Sequence, residues 1–111
     1  MASKRITDGT YHAQLIVLLG RFGFIPAQYM LDKVCDRREI WLNPAVGLAE
    51  ALDEVAATIA SLPANVLAER HLQTNGRFIF RVFGRSTMWV LLVDHATREL
   101  FNAFLDDNMG G

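Results

Sequence analysis

The sequence has little cysteine, little charge and no long apolar run. Cys35 is the single cysteine among 111 residues, so no internal disulfide can form, and no Cys-x-x-Cys or Cys/His spacing surrounds it. This usage is typical of a reducing compartment, and we predict a cytoplasmic location. The longest apolar run, residues 88–93, has six residues, whereas a membrane-spanning helix needs about 20. We therefore expect no membrane association.

The sequence also lacks the short motifs that mark common catalytic and nucleotide-binding sites. It contains no GxxxxGK[ST], no GxGxxG and no GxSxG. No cluster of histidine, cysteine and carboxylate residues has the spacing of metal ligands. These absences predict a protein with no cofactor, no metal site and no enzymatic activity.

Charge is scarce and nearly balanced, whereas apolar residues are abundant. Charged residues make up 21% of the chain, against about 25% in typical domains, and the formal net charge is −1. The molecule as a whole therefore has no attractive field for nucleic acids or anionic membranes. Hydrophobic residues make up 51%, which is more than one small domain of this length needs for its core. This excess predicts an apolar surface that a partner covers.

The first half of the chain has the 3.6-residue apolar period of helices. A flexible N-terminus, residues 1–9, precedes a single domain at 10–107, which begins with a predicted central helix at 11–22. Pro26 at a first helical position starts a second, short helix, and residues 38–42 read as a strand; the alternative is a hairpin over 27–43. Asn43 and Pro44 form an N-cap and first turn for a third helix at 44–61, with Leu48, Leu52 and Val55 on its apolar stripe.

After Pro63 the apolar period changes towards two, which indicates strands. Asn75-Gly76 predicts a type I′ hairpin turn that joins strands at 66–74 and 77–83. Residues 87–93 are almost entirely apolar and predict a central strand. Residues 100–105 fit either a helix capped by Asp94 or Thr97, which we favour, or a returning edge strand.

Together these elements predict an α+β fold with two or three helices packed on one face of a three- to four-stranded antiparallel meander. From residue 44 onward, the order helix, strand, strand, strand, helix resembles the second half of roadblock-type dimerising domains. With a hairpin at 27–43, the whole chain would be similar to such a domain. The resemblance implies a homodimeric protein-interaction module and transfers no site residues.

The charges are unevenly distributed along the chain. Every charge from Glu39 to Glu69 is acidic, and four arginines follow with no acid among them. Alternation along 77–83 predicts that Phe78, Phe80 and Val82 point into the core and that the other residues point outward. Arg85 is expected to continue the outward face. We predict that a partner binds the outward residues Arg77, Ile79, Arg81, Phe83 and Arg85, together with Arg70.

This pattern supports three functional hypotheses. The first is a small non-enzymatic regulatory or adaptor-like domain that forms a homodimer and binds another protein. The second is a nucleic-acid-binding module that uses Arg77, Arg81 and Arg85, because bases stack on aromatic rings while guanidinium groups contact phosphates. The third is a small metal-independent ribonuclease-type toxin, with His71 and His95 as acid and base beside the arginines.

Overall fold

The computed structural model describes residues 2–71, 73–74 and 77–106, with side chains for 9–71 and 77–106. In these ranges the chain forms four helices and five strands, two of the strands very short. Their order is α1 (Ala2–Gly20), β1 (Ile25–Pro26), α2 (Gln28–Trp41), α3 (Leu48–Ser61), α4 (Ala64–Arg70), β2 (Gln73–Thr74), β3 (Arg77–Gly84), β4 (Thr87–Asp94) and β5 (Glu99–Leu105). The predicted α+β class is confirmed, as are the strands at 77–83 and 87–93.

The sheet is mixed, with strand order β1-β5-β4-β3-β2. The antiparallel meander β3-β4-β5 forms its centre, but β1 pairs with β5 in parallel, so the prediction of a purely antiparallel sheet is wrong. Two hydrogen bonds hold β1: the Ile25 N–H donates to Arg98 O at 2.9 Å, and the Ala27 N–H donates to Leu100 O at 3.0 Å. A strand of two residues is too short to show a period in the sequence.

Helix α2 continues through the residues for which we predicted a strand. Met30, Val34 and Trp41 are buried on one face of this helix at i, i+4 and i+11. The Trp41 indole Nε1–H donates to Ala103 O on β5 at 2.9 Å, which ties the end of α2 to the sheet. The strand at 38–42 and the hairpin at 27–43 are therefore both wrong. The resemblance to roadblock-type domains loses the element on which it depended.

Helix α3 begins at Leu48, four residues later than predicted. The Asn43 side chain acts as expected of a turn residue, since its Oδ1 accepts a hydrogen bond from the Ala45 N–H at 2.9 Å. The turn it closes is not continued as a helix, because Gly47 adopts a φ of 90° at the N-cap. Leu48, Leu52 and Val55 are buried as the apolar stripe predicted.

The segment after Pro63 is helical, and most of the strand predicted at 66–74 is wrong. Pro63 is the N-cap of α4, and its carbonyl accepts hydrogen bonds from the N–H groups of Val66 and Leu67. Burial of Leu67 in the core fixes this short helix. Only Gln73–Thr74 pairs with β3 as a strand, and the predicted Asn75-Gly76 turn lies outside the described residues.

The last segment is strand β5, so the favoured helix at 100–105 is wrong. Asp94 Oδ1 accepts hydrogen bonds from the N–H groups of Ala96 (3.0 Å) and Thr97 (3.1 Å), as an N-cap would. The next residues form a tight turn instead, with Arg98 at a φ of 67°. The turn returns the chain antiparallel to β4, and the cross-strand ladder replaces the helical hydrogen bonds.

The hydrogen bonds at this turn predict an acid-sensitive contribution to stability. The Thr97 N–H, then the Ala96 N–H and the charge of His95, hold the pKa of Asp94 below its usual 3.8. The ionised form is therefore stabilised in the folded state, and this stabilisation is present above pH 3.8 and lost as the pH falls through the lower folded pKa. We expect Asp94→Asn to reduce the fall in the free energy of unfolding between pH 5 and pH 2.5, measured by urea titration. An unchanged pH dependence in the variant would contradict this assignment.

The helices cover one face of the sheet and bury the core there. This core face carries the inward residues of the three long strands: Phe78, Phe80, Trp89, Leu91, Val93, Leu100 and Ala103. Leu15 and Leu19 of α1 are fully buried against the same cluster. A second indole bond, from Trp89 Nε1 to Val46 O at 3.2 Å, fixes the loop before α3 on the sheet.

Candidate functional site

The other face of the sheet, which we call the open face, carries a second set of apolar side chains. Besides Arg77, the first residue of β3, strand alternation directs eight residues of β3, β4 and β5 away from the core: Ile79, Arg81, Phe83, Met88, Val90, Leu92, Asn102 and Phe104. None of the eight belongs to the buried core cluster or packs against it. Apart from Val90, which is itself buried in the monomer, the open face is therefore separate from the residues that form the core.

Cross-strand register arranges these residues in rows across three columns. One row is Arg81, Val90 and Phe104, and the next row is Ile79, Leu92 and Asn102. The middle column, contributed by β4, is apolar throughout. The outer columns, on β3 and β5, contain both polar and apolar residues. They flank one continuous apolar strip, which is formed by Met88, Val90 and Leu92 of β4.

Large aromatic side chains on this face are exposed. Phe83 is 52% exposed and Phe104 is 41% exposed, whereas Val90 between the outer columns is only 4% exposed. Exposing phenylalanine side chains on one sheet face is unfavourable, because removing their apolar area from water would lower the free energy of the molecule. Such a patch is characteristic of an interaction site.

The two sides of the open face differ in charge. On the β3 side, Arg81 Nε lies 3.6 Å from Asp106 Oδ2, and the arginine side chain is 65% exposed. The Arg77 guanidinium carbon lies 3.7 Å from the ring centroid of Phe101, which also stacks on Tyr29. The open face thus has arginines on β3 and, on the other side, the ring of Phe104 on β5 and the carboxylate of Asp106, the residue after β5.

The structure brings together four of the six residues predicted to bind a partner. Arg77, Ile79, Arg81 and Phe83 share one face of β3, as the alternation predicted. Arg85 does not continue that face, because the alternation ends at the turn. In this turn Arg85 adopts a φ of 58°, and its Nε lies 3.7 Å from Glu50 Oε2 on α3.

Arg70 also lies apart from the open face, because it is the last residue of α4. Our sequence interpretation did not include Met88, Leu92 and Phe104. For Met88 and Leu92 the available signal was the uninterrupted apolar run at 88–93. A strand in which no polar residues alternate with the apolar ones is typical of a strand with both faces covered. Phe104 was missed because its segment was assigned to a helix.

The structure separates Arg81 from the two histidines of the ribonuclease hypothesis. The His71 ring lies 4.2 Å from that of Phe80, and the His95 ring stacks on Phe78 at 4.7 Å. Both phenylalanines are on the core face, whereas Arg81 is on the open face. In the part of the chain that the structure describes, no group of three or more histidine, cysteine or carboxylate residues could hold a metal ion.

Comparisons of the chain with models of protein families, with curated proteins and with solved structures found no match. Within the described ranges, no helix combines the length and apolar character that a bilayer crossing requires.

Proposed function

We propose that this chain is a small non-enzymatic regulatory or adaptor-like protein-interaction domain that forms a homodimer through the open face. The observation that carries the proposal is the apolar strip of Met88, Val90 and Leu92, flanked by the exposed rings of Phe83 and Phe104. A second sheet of the same shape would bury the strip in the way that sheets pack in sandwiches, about 10 Å apart.

The charge pattern favours a second copy of the chain as the occupant. A twofold axis along β4, between the two sheets, places β3 of one copy over β5 of the other and keeps each row in register. Arg81 then faces Phe104 of the second copy, and the two β4 strips face each other. A guanidinium over an aromatic ring is attractive by about 0.5–2 kcal/mol. The open face is therefore complementary to itself about this axis.

The dimensions of the face indicate a dimer of modest affinity. Three strands of seven or eight residues, at about 3.3 Å per residue and 4.8 Å between strands, cover roughly 25 by 15 Å. This footprint, about 400 Å², matches functional apolar patches, but the roughly 800 Å² that two copies would bury together is below the ~1,200 Å² of stable interfaces. We expect a dissociation constant in the micromolar range. In such a dimer the helices face outward, where another protein can bind.

Sedimentation equilibrium over a range from about 2 to 200 µM tests the association. We expect a mass that rises from that of the monomer, 12.5 kDa, to twice that value with a single twofold step. A monomer at about 100 µM would overturn the dimer. The method also distinguishes a closed dimer from open-ended association, in which the mass continues to increase.

A second candidate function, single-stranded nucleic-acid binding, is favoured by the same exposed rings. Sheet faces that bind RNA present aromatic side chains on which bases stack, and Phe83 and Phe104 lie beside Arg77 and Arg81. Against it, the net charge of the chain is −1, which gives the molecule no attractive field for phosphates. We therefore rank this function below the homodimer.

Fluorescence anisotropy with a labelled single-stranded oligonucleotide decides this second candidate. If the open face binds nucleic acid, the affinity falls steeply between 50 and 200 mM salt, and the double variant Arg77→Ala, Arg81→Ala loses most of it. Binding by the double variant equal to that of the parent would eliminate the candidate. So would the absence of binding by the parent at 50 mM salt.

A further inference from the structure

A groove of about 600 Å³ lies between α1, residues 41–44 and the start of α3. The buried side chains of Trp41 and Leu48 line it, and Val17 and Leu18 of α1 form one wall. None of the open-face residues lines this groove. Its volume is within the range of about 300–1,000 Å³ that is typical of small-molecule sites.

The lining of the groove is held by contacts outside it. The Trp41 indole is fixed by its hydrogen bond to Ala103 O on β5. The position of α3 is fixed by the close approach of Gly47 to Gly84. A site whose apolar surface is held in place before binding loses little conformational entropy when a ligand enters. Val17, which is 64% exposed, supplies apolar surface that only an occupant would cover.

The charge at the groove is positive. Of its three charged lining residues, Glu50 and Arg85 form an ion pair at 3.7 Å and compensate each other. Arg21 has no carboxylate partner among the described side chains; its guanidinium carbon lies 5.5 Å from the ring centroid of Phe22. One uncompensated cation thus stands at the edge of an apolar groove.

We infer that the groove binds a small amphipathic carboxylate, with its apolar body on Trp41 and Leu48 and its carboxylate at Arg21. A guanidinium forms strong, charge-assisted hydrogen bonds with a carboxylate. The α1 residues that line the groove, 13–21, span about 12 Å at 1.5 Å per residue. That distance is comparable to the extended length of decanoate, which makes decanoate a suitable test ligand.

Nuclear magnetic resonance titration with decanoate below its micellar concentration tests the inference. The chain has two tryptophans, so the indole N–H signal of Trp41 reports on the groove and that of Trp89 serves as an internal reference. We expect a saturable shift of the Trp41 signal and a smaller shift of the Trp89 signal. No saturable shift of the Trp41 signal up to 2 mM decanoate would overturn the proposal.

Two pairs of variants separate the apolar and the charged parts of the site. We expect Val17→Glu to weaken decanoate binding at least 10-fold, because the new carboxylate lies in the apolar wall. Ile16→Glu, at a neighbouring exposed residue outside the groove lining, is the matched control and should bind as the parent does. Equal losses in the two variants would contradict the assignment to the groove.

Arg21→Gln should weaken decanoate binding about 10-fold and leave the binding of 1-decanol unchanged, since only the carboxylate uses the guanidinium. Arg70→Gln, at the end of α4, is the control for the loss of one positive charge. Unchanged decanoate affinity in Arg21→Gln would overturn the role of that residue. Co-sedimentation with anionic lipid vesicles, without a response to free decanoate, would show a membrane-binding surface instead and would also overturn the proposal.

Discussion

Replacing Gly84 by alanine is expected to lower the free energy of unfolding by about 3 kcal/mol or more. A Cβ at this position would overlap Gly47 O and lie 2.9 Å from Trp89 Cδ1. Neither obstacle yields easily, because one is backbone and the other belongs to a fully buried indole. The end of β3 therefore contacts the loop before α3 only through glycines.

Gly47, the other glycine of this contact, is equally restricted. Gly47 has a φ of 90°, and a Cβ on it would lie 2.5 Å from Gly84 O. Left-handed backbone is costly for other residues, so Gly47→Ala combines strain with overlap. We expect this variant to be destabilised to a similar degree.

Urea unfolding followed by tryptophan fluorescence measures both effects. Gly20→Ala is the matched control, because a Cβ there meets no atom within 4 Å and alanine favours the end of helix α1. We expect the control to be as stable as the parent or more stable. If Gly84→Ala has the same unfolding midpoint as Gly20→Ala, the close approach is contradicted; if only Gly84→Ala fails to fold, it is supported.

Replacing Phe104 by lysine is expected to raise the dissociation constant of the dimer at least about 100-fold, equivalent to about 2.7 kcal/mol, because the new cation faces Arg81 of the second copy. The substitution removes an exposed ring from the proposed interface and places a charge where the second copy would exclude water. Because Phe104 is outside the core cluster and 41% exposed, we expect the monomer to remain folded.

Sedimentation equilibrium of Phe104→Lys beside Ile16→Lys measures this effect. Ile16 is similarly exposed, at 49%, but lies on α1, on the helical side. We expect the Ile16 variant to dimerise as the parent does and the Phe104 variant to stay monomeric at about 100 µM. Monomerisation by the Ile16 variant alone would move the interface to the helical side and contradict the proposal.

The strands β3 and β4 could be predicted because their signals are local. Alternation along 77–83 separates Phe78 and Phe80 from Arg81 without any knowledge of the neighbouring strands. Four of the six predicted binding residues lie on one face for the same reason. Arg85 departs from the pattern because alternation has meaning only within a strand, and Arg85 is already in the turn.

The errors arose where one local signal fits two structures. Asp94 accepts two backbone hydrogen bonds in the same way at a helix N-cap and at a turn, and only pairing with β4 makes the following segment a strand. Residues 38–41 contain β-branched and aromatic residues, but the burial of Trp41 at i+11 from Met30 keeps them in α2. In both cases contacts with distant residues outweighed local preference.

The groove could not be anticipated from the sequence at all. Its lining comes from α1 and, 20 residues further along the chain, from residues 41–44 and the start of α3. Val17 resembled any other residue of an apolar helix. Its exposure follows from the way α1 packs on α2 and α3, which no local pattern encodes.

The central claim is that the open face is covered by a second copy, with β4 over β4. An isotope-filtered NOE experiment tests it most directly, on a mixed sample in which half the chains carry labelled Met, Val and Leu methyl groups and half are unlabelled. A dimer through the open face gives intermolecular NOEs from the methyl groups of Met88 and Leu92 to the rings of Phe83 and Phe104 of the other copy. Intermolecular NOEs only to helical residues such as Val17, or none at concentrations where the mass is that of a dimer, would contradict it.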